Sequence, residues 1–250
     1  MTKRIAVAGK GGTGKTTFIV TLIEVLLKNN KIPILAVDAD PNSNLGELLD
    51  INYETTIADI REELRKPENI PKGFSKPDYI NLQIQQALVE STNIDLIVMG
   101  RPEGRECYCY VNELLRNFLS RLSKDYKYVI IDNEAGMEHL SRRTTDNIDF
   151  LFILSEPTFV SVKSAIKIKN LTKQISLKID KICLVLNKVK EKLSNELTEE
   201  IKKNNFNFVY TLDYEEKILE KSEQDIILRK IIQDTLFFKK IQNICEELKI

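Results

Sequence analysis

The chain has 250 residues, enough for one sizeable α/β core, and lacks a Ser/Gly-rich or Pro-rich linker that would divide it. We therefore expect one domain over residues 1–250. Basic and acidic residues number 37 each, so the formal net charge is zero. A non-specific nucleic-acid binder carries a basic excess, and this balance argues against nucleic acid as a partner.

The N-terminal residues lack the long apolar stretch of a signal peptide, and no apolar run reaches the length of a membrane span. We therefore expect a cytoplasmic protein that does not bind membranes. Cytoplasmic thiols stay reduced, so the four cysteines suggest metal binding, reactive thiols or packing rather than disulfides. Cys183 and Cys245 have apolar neighbours and are predicted to be core residues.

Short apolar runs alternate with segments of helical periodicity along the chain. The predicted strands are residues 4–8, 32–37, 94–99, 128–131, 150–154, 182–186 and 206–210. The main predicted helices are residues 16–29, 112–123, 160–175, 191–204 and 225–248. Continuous apolar runs suit strands buried on both faces. The alternation predicts an α/β fold with a mostly parallel β-sheet and helices on both faces.

Residues 51–92 are less regular than the rest of the chain. Pro67, Pro71 and Pro77 interrupt helical signals at 56–65 and 78–89. We interpret this stretch as an irregular insertion beside the sheet.

The last predicted helix has an apolar stripe at Phe237, Ile241, Ile244 and Leu248. Such a stripe could rest on a membrane surface, but the polar face mixes lysine with glutamate and lacks a basic excess. We therefore expect the stripe to pack on the sheet.

The segment GKGGTGKTT, residues 9–17, follows the first predicted strand and opens the first predicted helix. This is the structural context of a Walker A phosphate-binding loop, so we expect a P-loop NTPase. Its backbone N–H groups and the helix N-terminus would bind phosphate, with Lys15 on the β and γ phosphates and the Thr16 hydroxyl on Mg²⁺. The predicted nucleotide contacts in this segment are Gly9, Gly11, Gly12, Thr13, Gly14, Lys15, Thr16 and Thr17.

Lys10 directly follows the first glycine of this loop. In this respect the loop resembles the deviant Walker A group, which includes the MinD, ParA and nitrogenase iron-protein ATPases. The resemblance implies that Lys10 reaches the nucleotide of a partner subunit, and hence that ATP controls a homodimer.

Three further sites carry the resemblance. Asp40, in the segment DADP of residues 38–41, resembles the first-switch aspartate that orients the attacking water. Asp132 resembles the Walker B aspartate, so the implied Mg²⁺ residues are Thr16, Asp40 and Asp132. Asn187 and Lys188 resemble the adenine-recognition pair. The resemblance therefore implies ATP hydrolysis with Lys10, Lys15 and Asp40 in catalytic roles.

Cys107 and Cys109 lie in RPEGRECYCYVN, residues 101–112. In an extended segment, side chains two residues apart face the same side and can bind one ion. Two thiolates are too few for Zn²⁺ or Ni²⁺, and a two-fold axis through the metal would supply the other pair from a second chain. Cys-x-Cys is also found in pairs that merely pack, so that reading stays open.

This cysteine loop, together with the segment DNEAGMEHLSRR of residues 132–143, resembles the CooC and AcsF nickel-insertion ATPases. The resemblance implies nickel, or zinc, at Cys107 and Cys109 across a homodimer. It also implies a nickel enzyme as client, either carbon monoxide dehydrogenase or acetyl-CoA synthase. This chain differs from the family pattern at one position of the phosphate-binding loop, where Thr13 replaces a valine.

Two other functions remain alternatives. An iron–sulfur electron-transfer ATPase like nitrogenase iron protein would need a second cysteine segment, and residues 133–143 contain none. A MinD/ParA-like positioning ATPase would act on DNA or membrane, which the neutral net charge disfavours. His139, the only histidine, is predicted to be a conformational or interface residue rather than a metal ligand.

Overall fold

The computed structural model describes residues 2–40, 42, 44–64, 69–101, 117, 120, 122–133, 147–174, 178–218 and 228–250. Its strands are β1 (Lys3–Gly9), β2 (Ile34–Ala39), β3 (Ile94–Val98), β4 (Tyr128–Asn133), β5 (Asn147–Ser155), β6 (Lys178–Val189) and β7 (Phe208–Asp213). They form one seven-stranded parallel sheet in the order β3-β2-β4-β1-β5-β6-β7. The predicted α/β fold and all the predicted strands are confirmed.

The described helices are α1 (Lys15–Lys28), α2 (Leu45–Leu49), α3 (Ile57–Glu63), α4 (Lys76–Gln86), α5 (Phe159–Thr172), α6 (Asn195–Lys203) and α7 (Leu236–Leu248). Helices α1, α2 and α7 pack on the face that carries Ile5 and Val7 of β1. Helices α3 to α6 pack on the opposite face, which carries Ala6 and Ala8. Successive residues of a strand point to opposite faces, so each strand contributes to both apolar layers.

The irregular stretch 51–92 includes α3 and α4, which cover one face of the sheet. Thr56 and Asp59 form a capping box at the start of α3, which explains why a short helix begins there. Pro77 does not break α4, because it lies in the first helical turn, where its missing N–H would have had no intrahelical partner. Ser75 caps this helix by accepting the Asp78 N–H.

The prediction of one long helix over residues 225–248 is wrong in its first part. Residues 228–230 and 232–234 form 3₁₀ turns, and α7 begins only at Leu236. The reason is local, because the Thr235 hydroxyl accepts the Phe238 N–H at 3.1 Å and so caps the helix. The predicted helix 112–123 lies mostly outside the described residues.

The apolar stripe of α7 packs against the sheet, as expected. Phe237, Ile241, Ile244 and Leu248 are each at most 5% exposed. Among the described residues, no helix is long and apolar enough to cross a membrane. Cys183 and Cys245 are also buried in this layer, which confirms their prediction as core residues. Burial raises the pKa of both thiols to about 12.

Candidate nucleotide-binding site

The phosphate-binding loop connects the end of β1 to the start of α1. Gly14 has φ 88° and lies directly before Lys15, the first residue of α1. Gly12 also has a positive φ, of 80°, which residues with a Cβ rarely adopt. A side chain at Gly9 would collide with the Leu154 carbonyl of the neighbouring strand. These glycines therefore allow the chain to turn tightly from strand to helix.

Carbonyl groups of this loop are held by side chains. The Thr13 hydroxyl donates to the Lys10 carbonyl at 2.8 Å, and the Thr13 N–H reaches the same oxygen at 3.4 Å. Asn187 Nδ2 donates to the Thr13 carbonyl at 2.9 Å, and Lys188 Nζ donates to the Gly12 carbonyl at 2.7 Å. Residues at the end of β6 thus contact the loop at the end of β1.

Lys15 and Asp40 lie on facing sides of the site, with Lys15 Nζ 3.9 Å from Asp40 Oδ2. Asp38, which the sequence analysis did not assign, is fully buried and accepts the N–H groups of Leu45 at 3.0 Å and Asp40 at 3.2 Å. Burial raises the pKa of Asp38 to about 6, although these hydrogen bonds oppose the shift. Asp38 therefore fixes the backbone that presents Asp40.

Thr16 and Asp132 form the second pair of the site, because the Thr16 hydroxyl donates to Asp132 Oδ2 at 2.9 Å. Asp132 is 1% exposed, and burial and the nearby Asp38 raise its pKa to about 7, while the Thr16 hydrogen bond and Lys15 oppose the shift. Its Oδ1 atom is buried and has no hydrogen-bond partner in the part of the chain that the structure describes. A hydroxyl beside a carboxylate with an unused oxygen is a donor set that suits Mg²⁺.

These residues border a cleft of about 550 Å³ at the carboxyl ends of the strands. The predicted nucleotide contacts that line it are Gly11, Gly12, Gly14, Lys15, Thr16, Thr17 and Asn187, and the predicted catalytic residue Asp40 lines it as well. Thr13 is 2% exposed and supports the loop from within, whereas Lys10 is exposed.

The far wall of the cleft was missed by the sequence analysis. It is formed by Asp213, the last residue of β7, by Tyr214 and Glu215 after it, and by Ile218, Leu228 and Phe237. Glu215 also accepts the N–H groups of Leu236 and Phe237, which joins this wall to the start of α7. The available signal was the position of residues 213–215 a few residues beyond the last predicted strand, 206–210, since ligands of parallel α/β sheets bind at the carboxyl ends of the strands.

The predicted transition-metal site lies outside the described residues, because Cys107 and Cys109 do. His139, predicted to be a conformational or interface residue, also lies outside them. Within the described ranges, no group of three or more histidine, cysteine, aspartate or glutamate side chains could hold a metal ion. The prediction of nickel or zinc at the cysteine pair therefore stays a prediction.

A family model described as an AAA domain matches residues 2–185. The chain belongs to this family of P-loop ATPases. Membership of this family indicates that the cleft binds ATP or ADP with Mg²⁺. The geometry of the loop and the oxygen atoms of Thr16 and Asp132 agree with this ligand.

Relatives of this P-loop ATPase agree with the assignment. An uncharacterized ATP-binding protein of Methanocaldococcus jannaschii is 42% identical over 98% of this chain and 97% of its own length. The carbon monoxide dehydrogenase accessory protein CooC of Rhodospirillum rubrum is 34% identical over 74% of each chain. The septum site-determining protein MinD of Pyrococcus horikoshii, solved with Mg-ADP, matches 99% of this chain and 96% of its own with a TM-score of 0.66 and 18% identity. That last similarity concerns the fold.

Proposed function

We propose that this protein hydrolyses ATP and uses the nucleotide cycle to load nickel into a nickel enzyme, either carbon monoxide dehydrogenase or acetyl-CoA synthase. Residues 1–250 act as one ATPase domain in this proposal. The observation that carries the ATPase part is the convergence of Lys15, Thr16 and Asp40 at one cleft, with the buried Asp132 hydrogen-bonded to Thr16 behind it. The 34% identity to CooC supports the choice of client.

The phosphate chemistry follows from the charges at the cleft. The Lys15 ammonium would neutralise the β and γ phosphates, and it lies at the N-terminus of α1, whose dipole also favours negative charge. Thr16 and Asp132 would hold Mg²⁺, which neutralises phosphate oxygens when bound. Without nucleotide, the Asp40 carboxylate lies 3.9 Å from the Lys15 ammonium. Incoming phosphates would bind Lys15 in its place, and the freed carboxylate would orient the attacking water.

Dimerisation would link ATP to the metal. Lys10 is an exposed residue of the loop, so its side chain could contact the nucleotide of a second subunit. The same two-fold axis would bring Cys107 and Cys109 of both chains together as four thiolates for nickel or zinc. ATP would favour the closed dimer only if it binds that state more tightly than the open one.

The test is maturation of a nickel-free client. Purified carbon monoxide dehydrogenase or acetyl-CoA synthase without nickel is incubated with the protein, Ni²⁺ and ATP, and the client's activity is followed. We expect ATP to accelerate activation, and the Lys15→Ala variant to give only the rate seen without ATP. Equal activation with and without ATP for both clients would exclude the proposal.

Two parallel measurements separate the alternatives. Iron and sulfide in anaerobically purified protein would indicate an electron-transfer ATPase. Co-sedimentation with liposomes or DNA would indicate a positioning ATPase. Burial of the α7 stripe argues against lipid, because that apolar face is already packed on the sheet.

A further inference from the structure

The end of β6 departs from regular strand geometry next to the phosphate-binding loop. The pairing of β6 with β7 shifts register between Leu186 and Val189. Lys188, within this irregularity, has φ 60°, which is uncommon for a residue with a side chain. Such conformations persist only where the surrounding structure over-determines them, and they cluster at functional sites.

The irregularity has a structural consequence. Consecutive side chains of a regular strand point to opposite faces of the sheet. Here Asn187 and Lys188 instead reach consecutive carbonyl groups of one loop, those of Thr13 at 2.9 Å and Gly12 at 2.7 Å. Asn187 Oδ1 also accepts the Lys188 N–H at 2.9 Å, so the two side chains are coupled.

Holding these two carbonyls also fixes N–H groups of the loop. A trans peptide is planar, so the carbonyl of one residue and the N–H of the next point in opposite directions. The Gly12 and Thr13 carbonyls are therefore linked to the directions of the Thr13 and Gly14 N–H groups. The Thr13 N–H closes the loop on the Lys10 carbonyl at 3.4 Å, and the Gly14 N–H belongs to the N-cap residue of α1, where phosphate would bind. Binding of phosphate by a P-loop depends on the orientation of its backbone N–H groups.

We infer that Asn187 and Lys188 are a positioning pair that pre-organises the phosphate-binding loop, so that they act on the phosphates rather than on the base. The inference rests on the proposed ATP-binding function of the cleft. Lys188 is itself positioned by Glu156, whose Oε1 lies 2.9 Å from Lys188 Nζ. Both of these side chains are about 40% exposed, so their ion pair contributes little by itself and serves to hold Lys188 Nζ beside the Gly12 carbonyl.

The first experiment compares three ligands with Mg²⁺ by calorimetry: ATP, inosine triphosphate, which lacks the adenine amino group, and inorganic tripolyphosphate, which has no base. Lys188→Ala should lower the affinity for all three ligands by the same factor, about tenfold, as expected for loss of one charge-assisted hydrogen bond. The ratio of ATP to inosine triphosphate affinity should stay at its wild-type value. Lys188→Arg, which keeps a charged donor, should restore affinity to within about threefold.

Lys192→Ala is the matched control, because it removes the same charge from an exposed position four residues further along the chain. It should bind all three ligands like the wild type. The inference is wrong if Lys188→Ala and Asn187→Ala leave tripolyphosphate binding unchanged. Loss of discrimination between ATP and inosine triphosphate in Asn187→Ala would assign this residue to base recognition instead.

A second measurement needs no nucleotide, and so separates this inference from the proposed function. Amide hydrogen exchange of nucleotide-free protein should become faster at residues 12–14 in Lys188→Ala and remain unchanged in Lys192→Ala. Unchanged exchange in Lys188→Ala would overturn the positioning role, even if the wild type binds ATP. If Lys188→Ala exchanges faster but the wild type binds no ATP, the positioning role would be retained and the proposed nucleotide rejected.

Discussion

Glycine-to-alanine substitutions in the phosphate-binding loop should differ in cost, because the glycines differ in conformation and surroundings. Gly11 does not have a positive φ, and a Cβ there would meet nothing within 4 Å. Gly12 has φ 80° with equally open surroundings. Gly14 has φ 88°, and a Cβ there would lie 2.5 Å from Asn187 Nδ2.

The magnitudes follow from these three environments. Gly11→Ala should change the free energy of unfolding by less than about 1 kcal/mol, because it meets neither strain nor a neighbour. Gly12→Ala should cost roughly 1–2 kcal/mol for the left-handed backbone alone. Gly14→Ala adds the displacement of Asn187 from the Thr13 carbonyl, which is worth about 1 kcal/mol more, so its total cost should be roughly 2–3 kcal/mol.

Urea unfolding of nucleotide-free protein in EDTA measures these differences without any effect on ligand binding. A double-mutant cycle isolates the steric part, since Gly14→Ala in an Asn187→Ala background should cost only the backbone contribution, like Gly12→Ala. The reasoning is refuted if Gly14→Ala costs no more than Gly12→Ala. Additive effects of Gly14→Ala and Asn187→Ala would equally refute it.

Three further predictions concern the proposed cycle. Lys15→Ala or Asp40→Ala should abolish ATP turnover while the circular dichroism spectrum is kept, and turnover at the wild-type rate in either variant would reject its role. Lys10→Ala should leave ATP affinity within about tenfold of wild type but prevent the dimer that a non-hydrolysable analogue induces, as judged by sedimentation. One Ni²⁺ or Zn²⁺ should saturate each dimer and promote its formation without nucleotide, and the double variant Cys107→Ser with Cys109→Ser should lose tight metal binding yet keep ATP. Unchanged metal affinity in that double variant would remove the interface site.

The sequence by itself determined the sheet, the phosphate-binding loop and the class of ligand. These features are encoded locally, since a strand buried on both faces is a continuous apolar run, and GKGGTGKTT carries its glycines, lysine and threonines within nine consecutive residues. The boundaries of α7 were less predictable, because apolar periodicity continues through residues 228–235 while Thr235 caps the helix at its actual start.

Only the tertiary structure decided which distant residues support the loop. Asn187 and Lys188 are separated from their partners Thr13 and Gly12 by 174 and 176 residues, and the irregularity that turns both toward the loop leaves no periodic signal. Asp38 looks like any strand-end carboxylate until its contact with the Leu45 N–H is known. Hydrophobic periodicity reports which face of an element is buried, whereas the pairing of polar groups depends on strand order and register, which bring chain segments together across the whole sheet.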